Sequence, residues 1–372
     1  MKIFTKRIEN ADAFSRALSG VLYFDIETTG LSADRSKVYL IGCAGHEEGG
    51  WNLTQWFDDT GRDEKEVLSS FLMYASQFQT LVHFNGNHFD LPFVAKRLEA
   101  YGLTNSLTGL ASLDLYQEIA PYKMLLNMPN AKQQTVEAVF GTGREEHMSG
   151  GDLIPVYEEY VRSKQQDDLS SLLYHNEADI RGLISITPVL AFHDLQSANL
   201  TVKKAEVSSY TDFEGRAKKE LLLSFESDRA LPQEIRASYE GCFLQQAGAA
   251  GLLKVPVLQE EMKYFYAGYK DYYYLPAEDM AIHKSIASFV DNSHRVQANA
   301  RNCYTRKEGS FLPQFVQKDA KDGAPVLFRE PFFKRSYDDK GIYFELTDEL
   351  KTDRTFMADY ASYVFRAIVR NC

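Results

Sequence analysis

The stretch VLYFDIETTGL, residues 21–31, places two acidic residues inside a segment that otherwise has the composition of a buried β-strand. Its aliphatic and aromatic residues favour a pleated, half-buried backbone. Because side chains alternate between the two faces of a strand, Asp25 and Glu27 project from the same face. Two neighbouring carboxylates in apolar surroundings repel each other and resist desolvation. We therefore expect a compensating partner at this face.

Strand-like and helix-like segments alternate through the first half of the 372-residue chain. Apolar and β-branched runs predict strands at 21–27, 38–44, 51–56 and 80–85. Helical spacing of apolar residues predicts helices at 64–77, 90–101, 132–140, 152–163 and 168–190. Strands that come first, followed by alternation, predict a three-layer α/β domain with a mixed central sheet.

The pattern changes near residue 199. Strands are predicted at 219–227, 263–269, 271–276, 296–305 and 341–346, and helices at 277–291 and over the last twenty residues. We therefore predict two domains: residues 1–198, and a smaller α+β accessory domain of unknown role at 199–372.

The formal net charge of −11 belongs entirely to the first half. Residues 1–198 hold 27 acidic and 16 basic residues, whereas residues 199–372 hold 25 of each. This balance argues against a non-specific nucleic-acid binder, which usually has a basic face, but it is compatible with a site that needs cations before it accepts a polyanion. No apolar run is long enough to cross a membrane, and we expect no secretory signal. Four scattered cysteines indicate a reducing, cytoplasmic setting.

Two further acids follow apolar segments. Asp90 ends LVHFNGNHFD, where a strand turns into a helix, so it is either a helix N-cap or a site residue. Asp179 lies on a predicted helix one turn after His175, which is either an ordinary surface pair or part of a site.

The order of the four acids along the chain, Asp25, Glu27, Asp90 and Asp179, resembles that of a known enzyme family. FDIETTGL, HFNGNHFD and HNEADI are similar to the three motifs of ribonuclease H-like 3′→5′ exonucleases with an Asp-Glu-Asp-Asp core, in particular the bacterial YprB-like branch. The resemblance covers roughly residues 18–195.

The resemblance implies a fold and a chemistry. The domain is expected to be ribonuclease H-like, with two Mg²⁺ or Mn²⁺ ions that support phosphodiester hydrolysis. It implies that Asp25 bridges both ions, that Glu27 and Asp179 hold the first with its water, and that Asp90 holds the second. The four repelling carboxylates would then be compensated by the ions.

These exonucleases have either Tyr four positions before the last Asp or His five positions before it. Here the types are exchanged, with His175 at four and Tyr174 at five. Because a helical residue at −4 lies close to Asp179, His175 is the expected residue that orients the attacking water. The alternative is that His175 only packs or forms a hydrogen bond.

The resemblance also suggests roles for residues outside the acidic motifs. In these exonucleases the loop after the first strand contacts the terminal nucleotide, so Thr28 and Leu31 are expected to do so here. Asn85 and Asn176 would either orient carboxylates or contact a nucleotide, or be ordinary turn and helix-surface residues. In the second half, the aromatic stretch 264–276 fits a hairpin core better than a base-stacking surface. The basic residues there form either a phosphate-binding patch or scattered solvated charges; they are His283, Lys284, His294, Arg295, Arg301, Arg306 and Lys307.

The sequence therefore predicts a two-metal 3′→5′ exonuclease of single-stranded DNA or RNA, with nucleic acid as its partner. Two alternatives stay open: a structure-selective endonuclease on the same site, and a catalytically silent binding or scaffold protein.

Overall fold

The computed structural model describes residues 1–8, 20–47, 50–141, 143, 148, 150–318 and 325–372. It divides into two compact units, Met1–His193 and Asp194–Cys372. The domain boundary after residue 198 stays a prediction about where the chain separates into independently folding parts. Among the helices in the described ranges, none has both the length and the apolar character of a membrane span.

The first unit contains a six-stranded sheet. Its strands are β1 (Lys2–Ile8), β2 (Val21–Thr28), β3 (Val38–Glu47), β4 (Gly50–Phe57), β5 (Thr80–His83) and β6 (Ala111–Asp114). Their order across the sheet is β1-β4-β3-β2-β5-β6. The pairs β2–β5 and β5–β6 are parallel, and the other pairs are antiparallel. The predicted mixed sheet is confirmed.

Helices cover both faces of this sheet. They are α1 (Glu64–Ala75), α2 (Asp90–Ala100), α3 (Leu115–Ile119), α4 (Gln133–Val139), α5 (Gly150–Ser163) and α6 (Gln166–Ile186). One core cluster joins the sheet to α1 and α2, and another joins it to α5 and α6. This arrangement confirms the predicted three-layer α/β domain.

Strand β2 lies in the middle of the sheet, between β3 and β5. Phe24 stacks on Phe71 of α1, with ring centroids 5.6 Å apart. The neighbouring Tyr23 projects from the other face, where its hydroxyl lies 2.7 Å from Thr187 Oγ1 beyond the end of α6. Because side chains alternate along a strand, Asp25 and Glu27 share the face of Tyr23. Both carboxylates therefore face the layer that contains α6.

The second unit is an α+β structure with three antiparallel sheets. Its strands are β7 (Leu200–Thr211), β8 (Ala217–Tyr239), β9 (Cys242–Phe265), β10 (Tyr272–Leu275), β11 (Met280–His283), β12 (Val296–Gln297), β13 (Tyr304–Gln314), β14 (Gln317–Lys318), β15 (Pro325–Val326) and β16 (Ile342–Glu345). Its helices are α7 (Lys284–Ala287), α8 (Asp348–Thr352) and α9 (Arg354–Asn371). The main sheet has the order β16-β13-β9-β8-β7, and β10 lies between β11 and β12 in a small one. The predicted closing helix is confirmed as α9, whose Phe365 contacts Phe225 of β8.

Two predicted elements in this unit are wrong. The helix predicted at 277–291 is a strand at Met280–His283 followed by a single helical turn, because Ala281 and Ile282 pair with tyrosines of β10. The strand predicted at 296–305 is interrupted by a turn at Asn299, whose carbonyl accepts hydrogen bonds from the N–H groups of Asn302 and Cys303.

The aromatic stretch 264–276 is not a hairpin, because β9 pairs with β13 whereas β10 pairs with β11 and β12. Its tyrosines do form a core, in which Tyr266 stacks on Tyr272 beside Cys303.

Four of the basic residues considered for a phosphate patch form ion pairs: Lys284 with Asp271, Arg301 with Asp338, Arg306 with Glu261 and Asp279, and Lys307 with Glu345. Scattered, paired surface charge fits these residues better than a patch.

Candidate active site

One cavity of about 550 Å³ in the first unit collects the residues that the sequence motifs single out. All eight predicted site residues line it: Asp25, Glu27, Thr28, Leu31, Asn85, Asp90, His175 and Asp179. They come from β2, the loop after it, the turn before α2, and α6. Residues far apart in the chain therefore meet at one place.

The first motif lies where β2 extends beyond its parallel neighbour. Strand β5 pairs with β2 only over Val21–Tyr23. From Asp25 onward β2 pairs with β3 alone, and the register shifts between Glu27 and Thr28. Such an irregularity changes the direction of side chains next to it. Glu27 is buried and Asp25 is partly buried, and both line the cavity at this free edge.

The second motif is a turn held by a buried carboxylate. Asp114 accepts hydrogen bonds from the backbone N–H of Asn85 at 2.7 Å and of Asn87 at 3.2 Å. Asn85 has φ +60°, a left-handed conformation that Asn tolerates better than most residues. This turn brings the start of α2 to the free edge of β2.

Asp90 is the first helical residue of α2 and Phe89 is the N-cap, so the N-cap alternative that the sequence left open for Asp90 is wrong. Its carboxyl group is buried and lines the cavity, where the backbone N–H groups of Asp90 itself and of Ile26 on β2 favour the charged form of the carboxyl group.

The third motif lies on α6. His175 Nε2 is 3.3 Å from Asp179 Oδ2, one helical turn away, and 3.7 Å from Glu27 Oε1 on β2. Tyr174 is 61% exposed and lines a separate cavity with Glu137 and Arg181. Of the two exchanged residues, His175 is therefore the one that lies beside the acids.

The crowding of acids has an electrostatic cost. Burial raises the pKa of Asp25 well above its usual value, and the charges of Asp179, Asp90 and Glu27 add to this effect. Burial also raises the pKa of Asp90 to about 7, although two backbone N–H groups oppose the change. A cation among these groups would relieve both the repulsion and the desolvation of the carboxylates.

The donor set fits a divalent metal ion. Potential ligand atoms of Glu27, His175 and Asp179 lie within 4.8 Å of one another. Carboxylate oxygens are the preferred ligands of Mg²⁺, and Mn²⁺ also accepts imidazole nitrogen. This part of the cavity is therefore a candidate acidic metal site.

Sequence reasoning missed several residues of the cavity wall. Gly150, Gly151 and Ile154 come from the first turns of α5, and Phe84 and Phe89 lie within the second motif. A Cβ atom on Gly150 would lie 3.6 Å from Glu27 Oε2, so the helix approaches the carboxylate closely. The only sequence signal was the pair of glycines before an apolar helix.

Asn176 is not a helix-surface residue. Its side chain is fully buried, and Nδ2 donates a hydrogen bond to Asp25 Oδ2 at 3.0 Å. Of the two functions that the sequence left open, this contact favours orientation of a carboxylate.

Comparison with known proteins gives a family and distant relatives. A family model of the RNase H superfamily matches residues 22–191. The uncharacterized protein YprB of Bacillus subtilis (strain 168) is 27% identical over 180 residues, which are 45% of this chain and 41% of that protein. The chain thus spans about two fifths of the length of this curated relative.

Two solved structures are similar over part of the chain. A family B DNA polymerase from the hyperthermophilic archaeon Pyrobaculum calidifontis has a TM-score of 0.37 and 20% identity, with 45% of this chain and 24% of the polymerase covered. The zinc-bound E. coli ExoI–ssDNA complex has a TM-score of 0.27 and 10% identity, with 56% of this chain and 54% of that chain covered.

The matched residues contain all three acidic motifs, and they also include Asn176. The match to this family model supports the assignment of the chain as a nuclease-type hydrolase. The similarity to the RNase H superfamily thus lies within the first unit, over residues 22–191 of this chain.

Proposed function

We propose that this chain is a divalent-metal-dependent 3′→5′ exonuclease that acts on single-stranded DNA or RNA. The observation that carries the proposal is the convergence of Asp25, Glu27, Asp90 and Asp179, together with His175, on one cavity. The resemblance of the three motifs to Asp-Glu-Asp-Asp exonucleases supports the direction of hydrolysis. The cavity volume of about 550 Å³ is in the range that accommodates a small ligand such as a terminal nucleotide.

The four carboxylates are the residues that would hold two Mg²⁺ or Mn²⁺ ions. When bound, such ions lower the pKa of an attacking water and stabilise the charge that develops on the scissile phosphate. Asp25 and Glu27 are presented by the central strand of the sheet, and Asp179 by a helix packed on it. This placement on rigid elements suits a site that must keep several like charges close together.

His175 would orient the attacking water. Its Nε2 lies among the acidic oxygens, 3.3 Å from Asp179 and 3.7 Å from Glu27. A nitrogen in this place can accept a hydrogen bond from water and receive its proton.

Three residues at the mouth would contact the terminal nucleotide. Leu31 is 87% exposed although it is apolar, and it lies on the loop that follows β2. An apolar side chain in this position can pack against a base. The hydroxyl of Thr28 donates to Gly30 O at 2.9 Å and fixes the start of the loop, and Asn85 offers a side-chain amide in the lining of the cavity.

The test uses three single-stranded substrates with Mg²⁺ or Mn²⁺: a 5′-labelled strand, the same strand with a blocked 3′ end, and a closed circle. DNA and RNA versions are compared. The variant Asp25→Asn removes a carboxylate of the site. The matched control Asp34→Asn removes one from the same region that pairs with Lys96 on the surface.

We expect a ladder of shortened 5′-labelled products and free mononucleotides, with the blocked strand and the circle intact. Asp25→Asn should lack this activity, and Asp34→Asn should retain it. Cleavage of the circle would instead support an endonuclease. Measurable strand binding without hydrolysis in any metal would support a silent binding protein.

A further inference from the structure

A row of residues across three strands lies next to the candidate metal site. Asp25 on β2 is directly opposite Gly42 on β3, and Gly42 is directly opposite Gln55 on β4. Residues that are directly opposite in neighbouring strands project from the same face. Asn176 of α6 contacts both ends of this row, since it forms hydrogen bonds with Asp25 and with Gln55.

The hydrogen bonds fix which way the Asn176 amide faces. Gln55 Nε2 donates to the backbone carbonyl of Leu173 at 2.9 Å, and a carbonyl can only accept. The same Nε2 donates to Asn176 Oδ1 at 3.0 Å. Asn176 must therefore present its NH₂ group to Asp25, and Nδ2 lies 3.0 Å from Asp25 Oδ2.

Gly42 provides the space for this contact. A Cβ atom at position 42 would lie 1.8 Å from Asn176 Oδ1 and 2.7 Å from its Cγ, distances that real atoms do not adopt. Gly42 is not among the residues with positive φ, so the position needs glycine for lack of volume and not for backbone conformation. Asn176 thus fills the place that a side chain at 42 would take.

We propose that Asn176 and Gln55, over Gly42, are positioning residues that hold the Asp25 carboxylate in the orientation required for metal binding. This inference rests on the proposed metal-dependent function. One oxygen of Asp25 accepts the hydrogen bond from the amide, which restricts rotation of the carboxylate, and Asp25 lines the cavity. Groups that orient metal ligands in this way typically affect metal affinity by 10- to 100-fold.

The experiment measures Mn²⁺ binding to the full chain by calorimetry, and the electron paramagnetic resonance spectrum of the bound Mn²⁺. The variants are Asn176→Ala, Asn176→Leu, Gln55→Ala and Gly42→Ala. Asn176→Leu keeps the branched shape and the number of side-chain heavy atoms but cannot donate. Glu177→Gln is the control, because this neighbouring residue on α6 pairs with Arg181 and with Lys6 of β1 and does not line the cavity.

We expect Asn176→Ala and Asn176→Leu to weaken Mn²⁺ binding at least tenfold and to change the resonance spectrum, with Glu177→Gln like the wild type. Gly42→Ala should weaken binding similarly, although it removes no hydrogen-bonding group. Adding Gly42→Ala to Asn176→Ala should cause little further loss, since both changes act on one contact.

Two outcomes distinguish failure of the proposed function from failure of the positioning role. If the wild type binds no divalent ion, the proposed function is wrong. If the wild type binds Mn²⁺ and Asn176→Leu binds it equally well with an unchanged spectrum, the positioning role is wrong and the function stands. Thermal unfolding without metal identifies variants that fail to fold. If the Asn176 variants fail, Gln55→Ala, which leaves the Asn176 side chain in place, is the test. Mn²⁺ binding and a resonance spectrum like those of the wild type would then contradict the positioning role.

Discussion

Arg97 of α2 donates two hydrogen bonds to the fully buried carboxylate of Glu64 in α1, from Nε to Oε1 at 2.8 Å and from Nη2 to Oε2 at 2.7 Å. Glu64 also accepts from the backbone N–H of Val38, at the start of β3. Arg97 Nη1 donates to Ala33 O at 3.0 Å, in the loop that contains Leu31. The pair therefore connects the helix that begins with Asp90 to the loop at the mouth of the cavity.

Arg97→Ala should lower the free energy of unfolding by roughly 3–5 kcal/mol, because it leaves a buried charge without its partner. Urea unfolding measures this loss. Lys96→Ala, which removes the adjacent and exposed ion pair with Asp34, should cost no more than about 1 kcal/mol. Equal losses in the two variants would contradict a special role for the buried pair.

Asp90 should make a contribution to the stability of the metal-free protein that decreases with rising pH. Its pKa of about 7 in the folded state exceeds the ordinary value of 3.8, so between these values the folded chain binds a proton that the unfolded chain has released. In EDTA this contribution to the free energy of unfolding should fall by roughly 2–3 kcal/mol from pH 5 to pH 8. Asp25, whose pKa burial also raises, adds to the decrease, whereas buried His83, whose pKa is lowered from 6.5 to about 4, opposes it. The difference between the wild type and Asp90→Asn isolates the contribution of Asp90, as chemical unfolding at several pH values would measure. A profile that is equally steep in the variant would contradict the prediction.

His175 and Tyr174 should differ strongly in their effect on catalysis. His175→Ala removes the nitrogen that lies among the acidic oxygens, and we expect kcat to fall by about 10²–10⁴-fold. Tyr174→Ala changes a side chain on the other cavity and should leave kcat nearly unchanged. Single-turnover hydrolysis of a labelled strand measures both. A larger loss in Tyr174→Ala would reverse the assignment.

Leu31→Ala should weaken substrate binding and leave folding intact. Loss of roughly 1 kcal/mol of apolar contact with the terminal nucleotide would raise KM by about five- to tenfold, with little change in kcat. Met73→Ala is the matched control, because Met73 is also apolar and 72% exposed but lies on α1 away from the cavity. Steady-state kinetics on short strands provide the comparison, and a KM that is unaffected in Leu31→Ala would contradict the contact.

The parts of the fold that sequence predicts well have strong local patterns. Strand β2 has alternating apolar residues around its two acids, and α6 has a long apolar stripe, so both were predicted close to their observed bounds. Strand β1 was missed because its seven residues are mostly exposed and include three basic ones, as is common in edge strands. The error at 277–291 arose because the apolar residues there suit a helix and a strand equally well, and pairing with β10 decides between them.

In the candidate site too, sequence predicts the residues that belong to a local motif and not those whose contacts depend on tertiary structure. The four acids and His175 could be predicted because each belongs to a short motif. Gln55 and Gly42 could not, since their importance depends on the register of three strands and on where α6 lies across them. No pattern within either strand indicates that contact.

The hydrogen bond between Asn176 and Asp25 joins residues 151 positions apart in the chain. The proposed metal ligands of β2, α2 and α6 come together only when the sheet and its covering helices are complete. A collapsed intermediate with local structure alone would have no site to offer an ion. Added Mn²⁺ should therefore leave the refolding rate almost unchanged and slow unfolding, so that its benefit to the protein is a longer lifetime of the native state.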